Sequence, residues 1–407
     1  MRPMPAINAS NTGLSGVNHP SSAIPARIPH IASLDLMRGL VIVLMALDHV
    51  RWYFLDADFS PTDLSRTDSA LFLTRWATHL CAPTFVFLAG TSAFLSAAHS
   101  TDRHQLAARL FTRGLWLVIL ELTIVRLAWF FNLDYSQMDL QVIWALGWSM
   151  VVLAGLVYMP LWSIAVLGIG MIAAHNLLDG IRLEDFEMAD GSLGWQGWLL
   201  SVLHIPRFPV GYPLIPWIGV MAAGYAFGPL MLTTSKTRKQ LALAAGAALI
   251  AAFVILRAYN AYGDPSSWST RETALFTLFS FLNTTKYPPS LLFLLMTLGA
   301  MFILLSVFER RHGLVEDFFI TFGRVPLFFY VLHLYVIHGL VIVFGYAIRG
   351  DIDSFMTIPV FFPPWWGFSL PVVYLIWVAV TASLYPVCRW FAAIKSRHRG
   401  RWWTYYV

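Results

Sequence analysis

The sequence predicts an all-α integral membrane protein, a polytopic bundle of about ten transmembrane helices with both termini in the cytoplasm. Its 407 residues are 58% hydrophobic and only 12% charged, about half the charge expected of a soluble protein. The mean hydropathy is +0.65. Apolar runs of about 20 residues, the length that crosses a bilayer, recur along nearly the whole chain.

The predicted spans divide the chain into a membrane domain with two tails. They lie near residues 34–54, 76–98, 108–131, 140–158, 161–178, 213–232, 241–258, 287–308, 321–346 and 368–389. Residues 1–32 are rich in Pro, Ser, Asn and Ala without an apolar core, so we expect a disordered cytoplasmic tail and no cleaved signal peptide. A membrane domain follows over 33–390, and 391–407 form a basic cytoplasmic tail.

The charges of the connecting segments alternate along the chain and predict its orientation. The basic set comprises Arg103, Arg109, Arg113, Lys236, Arg238, Lys239, Arg310, Arg311, Arg389, Lys395, Arg397, Arg399 and Arg401. The acidic set comprises Asp56, Asp58, Asp63, Asp68, Asp134, Asp139, Asp179, Glu184, Asp185, Glu187, Asp190, Asp351 and Asp353. Because basic loops stay in the cytoplasm, the basic set marks the cytoplasmic face. Basic residues spread over short loops in this way do not indicate a nucleic-acid partner.

The first span carries a polar stripe. At 100° per residue, Arg38 and His49 lie about 20° apart and Asp35 about 40° from His49, over roughly 21 Å of helix. Ionisable groups inside a span are costly and by default mark a site. The alternatives are a helix cap for Asp35, a snorkelling anchor for Arg38, and a neutral histidine bonded to a neighbouring helix for His49.

Other spans carry isolated polar residues whose partners the sequence does not identify. His79 faces either a cavity or a loop. Glu121 and Arg126 point about 140° apart on one helix and therefore each need a partner on another span. Lys286 and Tyr287 either line an external mouth or anchor the chain at the interface.

The ninth predicted span contains His333, which shares a helix face with Tyr330. His338 lies about 140° away from His333, so the two histidines do not form a same-face metal pair. No segment has the His/His or Cys-x-x-Cys spacing of a zinc site, and we expect no metal. Phosphate-loop, dinucleotide and serine-hydrolase motifs are also missing, and Cys81 and Cys388 lie in apolar segments that imply no disulfide framework.

Taken together, these motifs resemble a known family. The chain resembles the catalytic membrane domain of heparan-α-glucosaminide N-acetyltransferase, in a bacterial branch, within a wider transmembrane acyltransferase superfamily that includes membrane O-acyltransferases. The motifs that carry the resemblance are 33–39, 45–49, 81–90, 212–219, 286–290 and 322–333. Their order over residues 31–390, with this number of spans, is more specific than any single motif.

The resemblance implies transfer of an acetyl or short acyl group from cytoplasmic acetyl-CoA to a sugar, polysaccharide or glycolipid across the bilayer, in a bacterial inner membrane. In the O-acyltransferase relatives the catalytic histidine follows the motif aspartate at the spacing from Asp35 to His49. In the N-acetyltransferase that position looks like Asn and the essential histidine lies later, where residues 51–59 here contain none. Amine and hydroxyl acceptors therefore both stay open, as does a homodimer.

Residue roles follow from the resemblance. We expect His49 to act as a general base or as a covalent acetyl carrier, supported by Asp35, Glu121 and His333. The predicted coenzyme A ligands are Arg38, Arg113 and Arg324, and the predicted acceptor contacts are His79, Lys286 and Tyr287. A transporter is the alternative, since buried charges and prolines within spans suit one, but no repeat pairs the two halves of the chain.

Overall fold

The computed structural model describes residues 31–97, 102–188, 190–309, 313–398 and 400–406. These residues are helical, apart from loops and a few isolated β-bridges. Residues 1–30 of the N-terminal tail predicted over 1–32 lie outside the described residues, as do Arg310, Arg311 and Arg399 of the basic set, whereas Ala32 already begins α1.

Fifteen α-helices form the described chain. They are α1 (Ala32–Phe54), α2 (Ser69–Thr78), α3 (Cys81–Ala97), α4 (Arg103–Leu120), α5 (Arg126–Phe130), α6 (Val142–Leu156), α7 (Leu161–Ala174), α8 (Trp195–Leu203), α9 (Leu214–Phe227), α10 (Ser235–Tyr259), α11 (Ala274–Leu282), α12 (Leu291–Phe308), α13 (Leu314–Arg324), α14 (Pro326–Arg349) and α15 (Leu370–Arg397). A π-helical turn, Glu121–Val125, joins α4 to α5.

Seven segments of the described chain are long and apolar enough to cross a membrane. They are Ser69–Ala97, Leu161–Leu178, Leu214–Leu232, Ser235–Tyr259, Leu291–Phe308, Pro326–Arg349 and Leu370–Arg397. The predicted class, a helical membrane protein, is confirmed. Three further predicted spans correspond to α1, the α4–α5 pair and α6, but the first two carry more charge and α6 has only 15 residues. Ten spans and cytoplasmic termini therefore stay predictions.

Two predicted spans differ from the structure at proline residues. The span predicted over 321–346 is divided between α13 and α14, which meet at Val325. Pro326 has no backbone N–H and disfavours helical geometry at the residue before it, so one helix ends there and the next begins. The span predicted from residue 287 begins as a helix only at Leu291, so Lys286 and Tyr287 lie in the turn before it.

Helix α1 is the central element and packs against α3, α12, α13, α14 and α15. Where α1 crosses α13, two glycines allow the two backbones to come into close contact. A Cβ atom at Gly39 would lie 1.7 Å from the Phe319 carbonyl oxygen, and one at Gly323 would lie 1.8 Å from the Asp35 carbonyl oxygen. Small residues let two membrane helices approach this closely. The contact holds the polar stripe of α1 against the start of α14.

Gly39→Ala should therefore destabilise the protein, because the added methyl group forces α1 and α13 apart. We expect a cost of about 1–3 kcal/mol or more and a clear fall in the thermal unfolding midpoint in detergent. Gly170→Ala is the matched control, since nothing lies within 4 Å of a Cβ atom at Gly170 of α7. A Gly39→Ala protein that unfolds at the wild-type temperature would contradict this account of the crossing.

Candidate active site

Two adjacent cavities lie within the bundle. The first, which we call the histidine cavity, has a volume of about 830 Å³ and is lined by residues including His49, Asp48 and Lys286. The second, which we call the basic cavity, has a volume of about 1000 Å³ and is lined by residues including Arg38 and Arg113. Both cavities are bordered by Met45, Val142 and Tyr330. These three side chains, which we call the partition, therefore lie between the two cavities.

A pair of hydrogen-bonded histidines joins α1 to α14 beside the partition. His49 Nδ1 lies 2.7 Å from His333 Nε2, and the two rings are nearly parallel, with an interplanar angle of 6°. His333 Nδ1 lies 2.8 Å from the carbonyl oxygen of Phe329, one turn earlier on α14. His333 is fully buried, whereas His49 lines the histidine cavity.

The hydrogen bonds assign the proton positions of the neutral pair. Because a carbonyl oxygen only accepts, His333 must carry its proton on Nδ1, which leaves a lone pair on Nε2. His49 must then donate from Nδ1 to that lone pair. The Nε2 atom of His49 is left with a free lone pair, and the one side-chain hydrogen bond of His49 to another described residue is made through Nδ1. An imidazole held in this tautomer can accept a proton at Nε2.

Aromatic side chains enclose the histidine pair. The Trp129 ring packs edge-on against His49 at 5.1 Å between centroids, and the Tyr330 ring does so at 6.1 Å. Tyr53 stacks on Trp129 and donates its hydroxyl to the Trp129 carbonyl at 3.0 Å. The Tyr330 hydroxyl is buried and makes no hydrogen bond of good geometry to a described residue. These rings keep the surroundings of the pair mostly apolar while leaving one hydroxyl unused.

A carboxylate with two arginines forms one wall of the histidine cavity. Asp48 accepts hydrogen bonds from Arg51 at 2.9 Å, from Arg75, and from the Thr78 hydroxyl at 3.0 Å. The two arginines carry more charge than the single carboxylate. The Nε atom of Arg51 is buried and has no hydrogen-bond partner among the described residues. Lys286 lines the same cavity. This wall is therefore locally positive.

Lys286 and Tyr287 reach the histidine cavity from the turn before α12. Asp264 holds that turn by accepting from the Thr285 backbone N–H at 2.8 Å and from the Ser290 hydroxyl at 2.7 Å. Burial alone would raise the pKa of Tyr287, but the positive charges of Lys286 and Arg75 outweigh it and lower that pKa below its usual value. The turn thus presents a cation and a phenol to the cavity.

The basic cavity has a strong excess of positive charge. Arg38 donates to Asp35 at 2.7 Å and also to the Ser92 hydroxyl. The Nε atom of Arg113 is buried, and no other described residue forms a hydrogen bond with it. The charged residues that line the cavity are five cations, Arg38, Arg109, Arg113, Arg324 and Lys395, and one carboxylate, Asp35. Such a cavity is suited to a ligand with several negative charges.

Three of the predicted site residues, Glu121, His79 and the His333 described above, line neither cavity. Glu121 Oε1 accepts from the Gln141 backbone N–H at 3.0 Å, directly before α6, and so fixes the helix start that carries Val142 of the partition. Its Oε2 atom is buried and has no hydrogen-bond partner within the described part of the chain. His79 is buried and packs edge-on against Phe293 at 5.3 Å. In the structure, Glu121 supports the start of α6, whereas His79 packs in the interior outside both cavities.

The structure brings the remaining predicted residues into two groups. Around the histidine cavity it places His49, Lys286 and Tyr287, with His333 behind His49. Around the basic cavity it places Asp35, Arg38, Arg113 and Arg324. Sequence reasoning missed Trp129, the pairing of Asp48 with Arg75, and the contribution of Arg109 and Lys395 to the basic cavity. Among the described residues, no group of three or more His, Cys, Asp or Glu side chains could hold a metal ion.

Comparison with known families assigns the chain to a protein family. The family described as heparan-alpha-glucosaminide N-acetyltransferase, catalytic, matches residues 30–260, more than half of the chain. The chain belongs to this family. The matched segment contains the stripe of α1 and helices up to α10, while Lys286, His333 and the C-terminal segment lie beyond it. Membership indicates a membrane acetyltransferase. No curated protein matches the chain.

Asp139 lines the histidine cavity and lies outside the spanning helices, and its carboxyl group should make the stability of the protein depend on pH. Burial raises the pKa of its carboxyl to about 6, although Gln141 donates a hydrogen bond to it. As the pH rises, the unfolded chain therefore loses the Asp139 proton at a lower pH than the folded chain does. The free energy of unfolding should then fall between about pH 4 and pH 6 and stay lower above that range. Asp139→Asn should raise the unfolding midpoint relative to wild type at about pH 7.5 and not at about pH 4.

The exposed Asp185→Asn serves as the control for that measurement, since it should leave the midpoint unchanged at both pH values. An Asp139→Asn protein that is less stable than wild type at the higher pH would show that the carboxylate is held by a stabilising partner.

Proposed function

We propose that the protein transfers an acetyl group from acetyl-CoA in the basic cavity to an amine or hydroxyl of a sugar, polysaccharide or glycolipid in the histidine cavity. The observation that carries the proposal is the pair of cavities that meet at Met45, Val142 and Tyr330 beside His49. Membership in the acetyltransferase family supports it. No feature of the site specifically favours the alternative, a transporter for a small polar or anionic solute.

Charge supports the assignment of the donor to the basic cavity. Coenzyme A carries several phosphate charges and cannot enter a bilayer, whereas its acyl-pantetheine arm is uncharged. Arginine forks bind phosphate oxygens in pairs, and the Arg113 Nε atom still has an unused donor. The arm would extend along the stripe from Arg38 towards the partition and bring the thioester close to His49.

The proposed chemistry uses the tautomer that the histidine pair fixes. His49 Nε2 takes the proton from the acceptor as its nitrogen or oxygen attacks the thioester carbonyl carbon. The carbon–sulfur bond then breaks, and the leaving thiolate takes the proton from His49 to give coenzyme A. His333 acts as a positioning residue. Its Nε2 lone pair accepts a hydrogen bond from the His49 Nδ1–H group and so stabilises the imidazolium that forms on His49. The unused Tyr330 hydroxyl is our candidate donor to the developing oxyanion.

Orientation follows the loop charges. The basic cavity collects residues of the predicted cytoplasmic set, such as Arg109, Arg113 and Lys395, whereas Asp56, Asp58 and Asp139 line the histidine cavity. The positive-inside tendency therefore favours a cytoplasmic donor and an external acceptor. We propose the bacterial inner membrane as the location, and a homodimer stays open.

His49→Ala should abolish the general base and lower acetyl transfer by about 10²–10⁴-fold. Purified protein in detergent would be incubated with radiolabelled acetyl-CoA and a panel of aminosugars, polysaccharides and water alone. His333→Ala should cause a smaller loss and a shifted pH–rate profile, since His49 is then free to adopt the other tautomer. The exposed His104→Ala is the control and should act as wild type.

Unchanged transfer in His49→Ala would reject the proposed base, and a wild-type protein that transfers label to none of these acceptors would weaken the acetyl-CoA assignment. Label that stays on the protein without acceptor, and disappears in His49→Ala, would favour a covalent acetyl-histidine over direct transfer.

A further inference from the structure

The C-terminal segment folds back over the basic cavity. After α15 the chain turns at Gly400, whose φ of +92° is in the left-handed region that favours glycine. A short 3₁₀ turn, Trp402–Tyr405, follows. The Tyr406 hydroxyl lies 3.0 Å from the Thr112 hydroxyl of α4. Trp402, Thr404 and Tyr406 line the cavity together with the basic side chains.

The two tryptophans of this turn have different surroundings. Trp403 packs inward, with its ring centroid 5.9 Å from that of His398 and 6.4 Å from that of Phe391 on α15. Trp402 is 77% exposed and lies 6.2 Å from the Tyr406 ring, at an interplanar angle of 63°. One tryptophan therefore anchors the turn, and the other offers a bare aromatic face next to Tyr406 at the edge of the cavity.

We infer that Trp402 and Tyr406 bind the adenine ring of an adenine nucleotide whose phosphates are held by the basic cavity. The inference rests on the proposed function, because the nucleotide is half of the proposed donor. Aromatic side chains stack on nucleobases, and each such contact contributes about 1–3 kcal/mol by alanine substitution. An exposed aromatic face beside a cluster of five cations matches a ligand that joins a flat base to several phosphates.

This assignment differs from the ordinary use of aromatic residues at a membrane surface. Interfacial tryptophans sit at the headgroup level and need no cavity beside them. Here the Trp402 and Tyr406 side chains border the same cavity as Arg113 and Lys395, and the Tyr406 hydroxyl is bonded to α4. The segment also lies outside the family match over 30–260. Recognition of the nucleotide would thus depend on residues beyond the matched segment.

Binding of three probes to the full chain in detergent tests the inference. The probes are coenzyme A, adenosine 3′,5′-bisphosphate, which lacks the pantetheine arm, and 4′-phosphopantetheine, which lacks the nucleotide. Trp402→Ala should weaken the first two by about 5-fold to 150-fold in dissociation constant and change the third by less than about 2-fold. Trp402→Phe keeps an aromatic face and should restore most of the lost affinity.

Two further variants make the result specific. Arg113→Gln should weaken all three probes, because each carries phosphate. Trp390→Ala is the matched control, since Trp390 is a 61% exposed tryptophan of α15 that lines neither cavity. It should bind every probe as wild type does.

Three outcomes would overturn the inference. Trp402→Ala could leave coenzyme A binding unchanged, or it could weaken 4′-phosphopantetheine as much as coenzyme A, which would indicate a structural role for the turn. In both cases wild type still binds coenzyme A, so the proposed donor survives. A wild-type protein that binds none of the probes would reject the donor assignment itself, and the nucleotide site with it.

Discussion

The hydrogen bond between His49 and His333 is the contact on which the proposed chemistry of this site depends. It links α1 to α14 across 284 residues of sequence, and the Phe329 carbonyl fixes its direction. An unpaired imidazole can present either nitrogen to a substrate. The chain of carbonyl, His333 and His49 removes that freedom and directs one basic nitrogen towards the histidine cavity. As in the aspartate–histidine pair of serine hydrolases, a second side chain orients the histidine that acts as the proposed base. Here that side chain is a neutral imidazole in place of a carboxylate. A neutral partner is better suited to an apolar bundle, where a buried carboxylate would be costly.

The partition adds a second constraint. Acetyl transfer across a membrane needs a barrier that stops coenzyme A and the acceptor from crossing, yet is thin enough for the thioester to meet the base. We propose that Met45, Val142 and Tyr330 form this barrier, because each borders both cavities. Their positions depend on contacts away from the chemistry. Glu121 fixes the start of α6 before Val142, and the Gly39–Gly323 crossing holds α1 beside α14. Glu121, which we predicted to be catalytic, borders neither cavity, and we propose that it positions the wall.

The sequence allowed the membrane class and the stripe of α1 to be predicted, since both depend on periodicity within one segment. Asp35, Arg38 and His49 lie on one helix and their spacing alone places them on one face. The partner of His49 was out of reach, because no local pattern shows which distant helix packs against α1. The pairing of Asp48 with Arg75 was missed for the same reason. Proline interrupts helices, so a break near Pro326 could have been predicted. The apolar residues on both sides of it instead suggested one continuous span. The C-terminal segment was predicted only as a basic tail, since folding back onto a cavity leaves no signature in composition.

Sealed vesicles show whether the acetyl group passes from one membrane face to the other. The protein would be reconstituted with glucosamine or another acceptor from the panel sealed inside, and radiolabelled acetyl-CoA would be added outside. Only molecules whose C-terminal segment faces outward, identified by protease access to a C-terminal tag, present the basic cavity to the donor. The two-cavity account predicts labelled product inside the vesicles while coenzyme A stays outside. Product that forms only when donor and acceptor share one side of the membrane would contradict it.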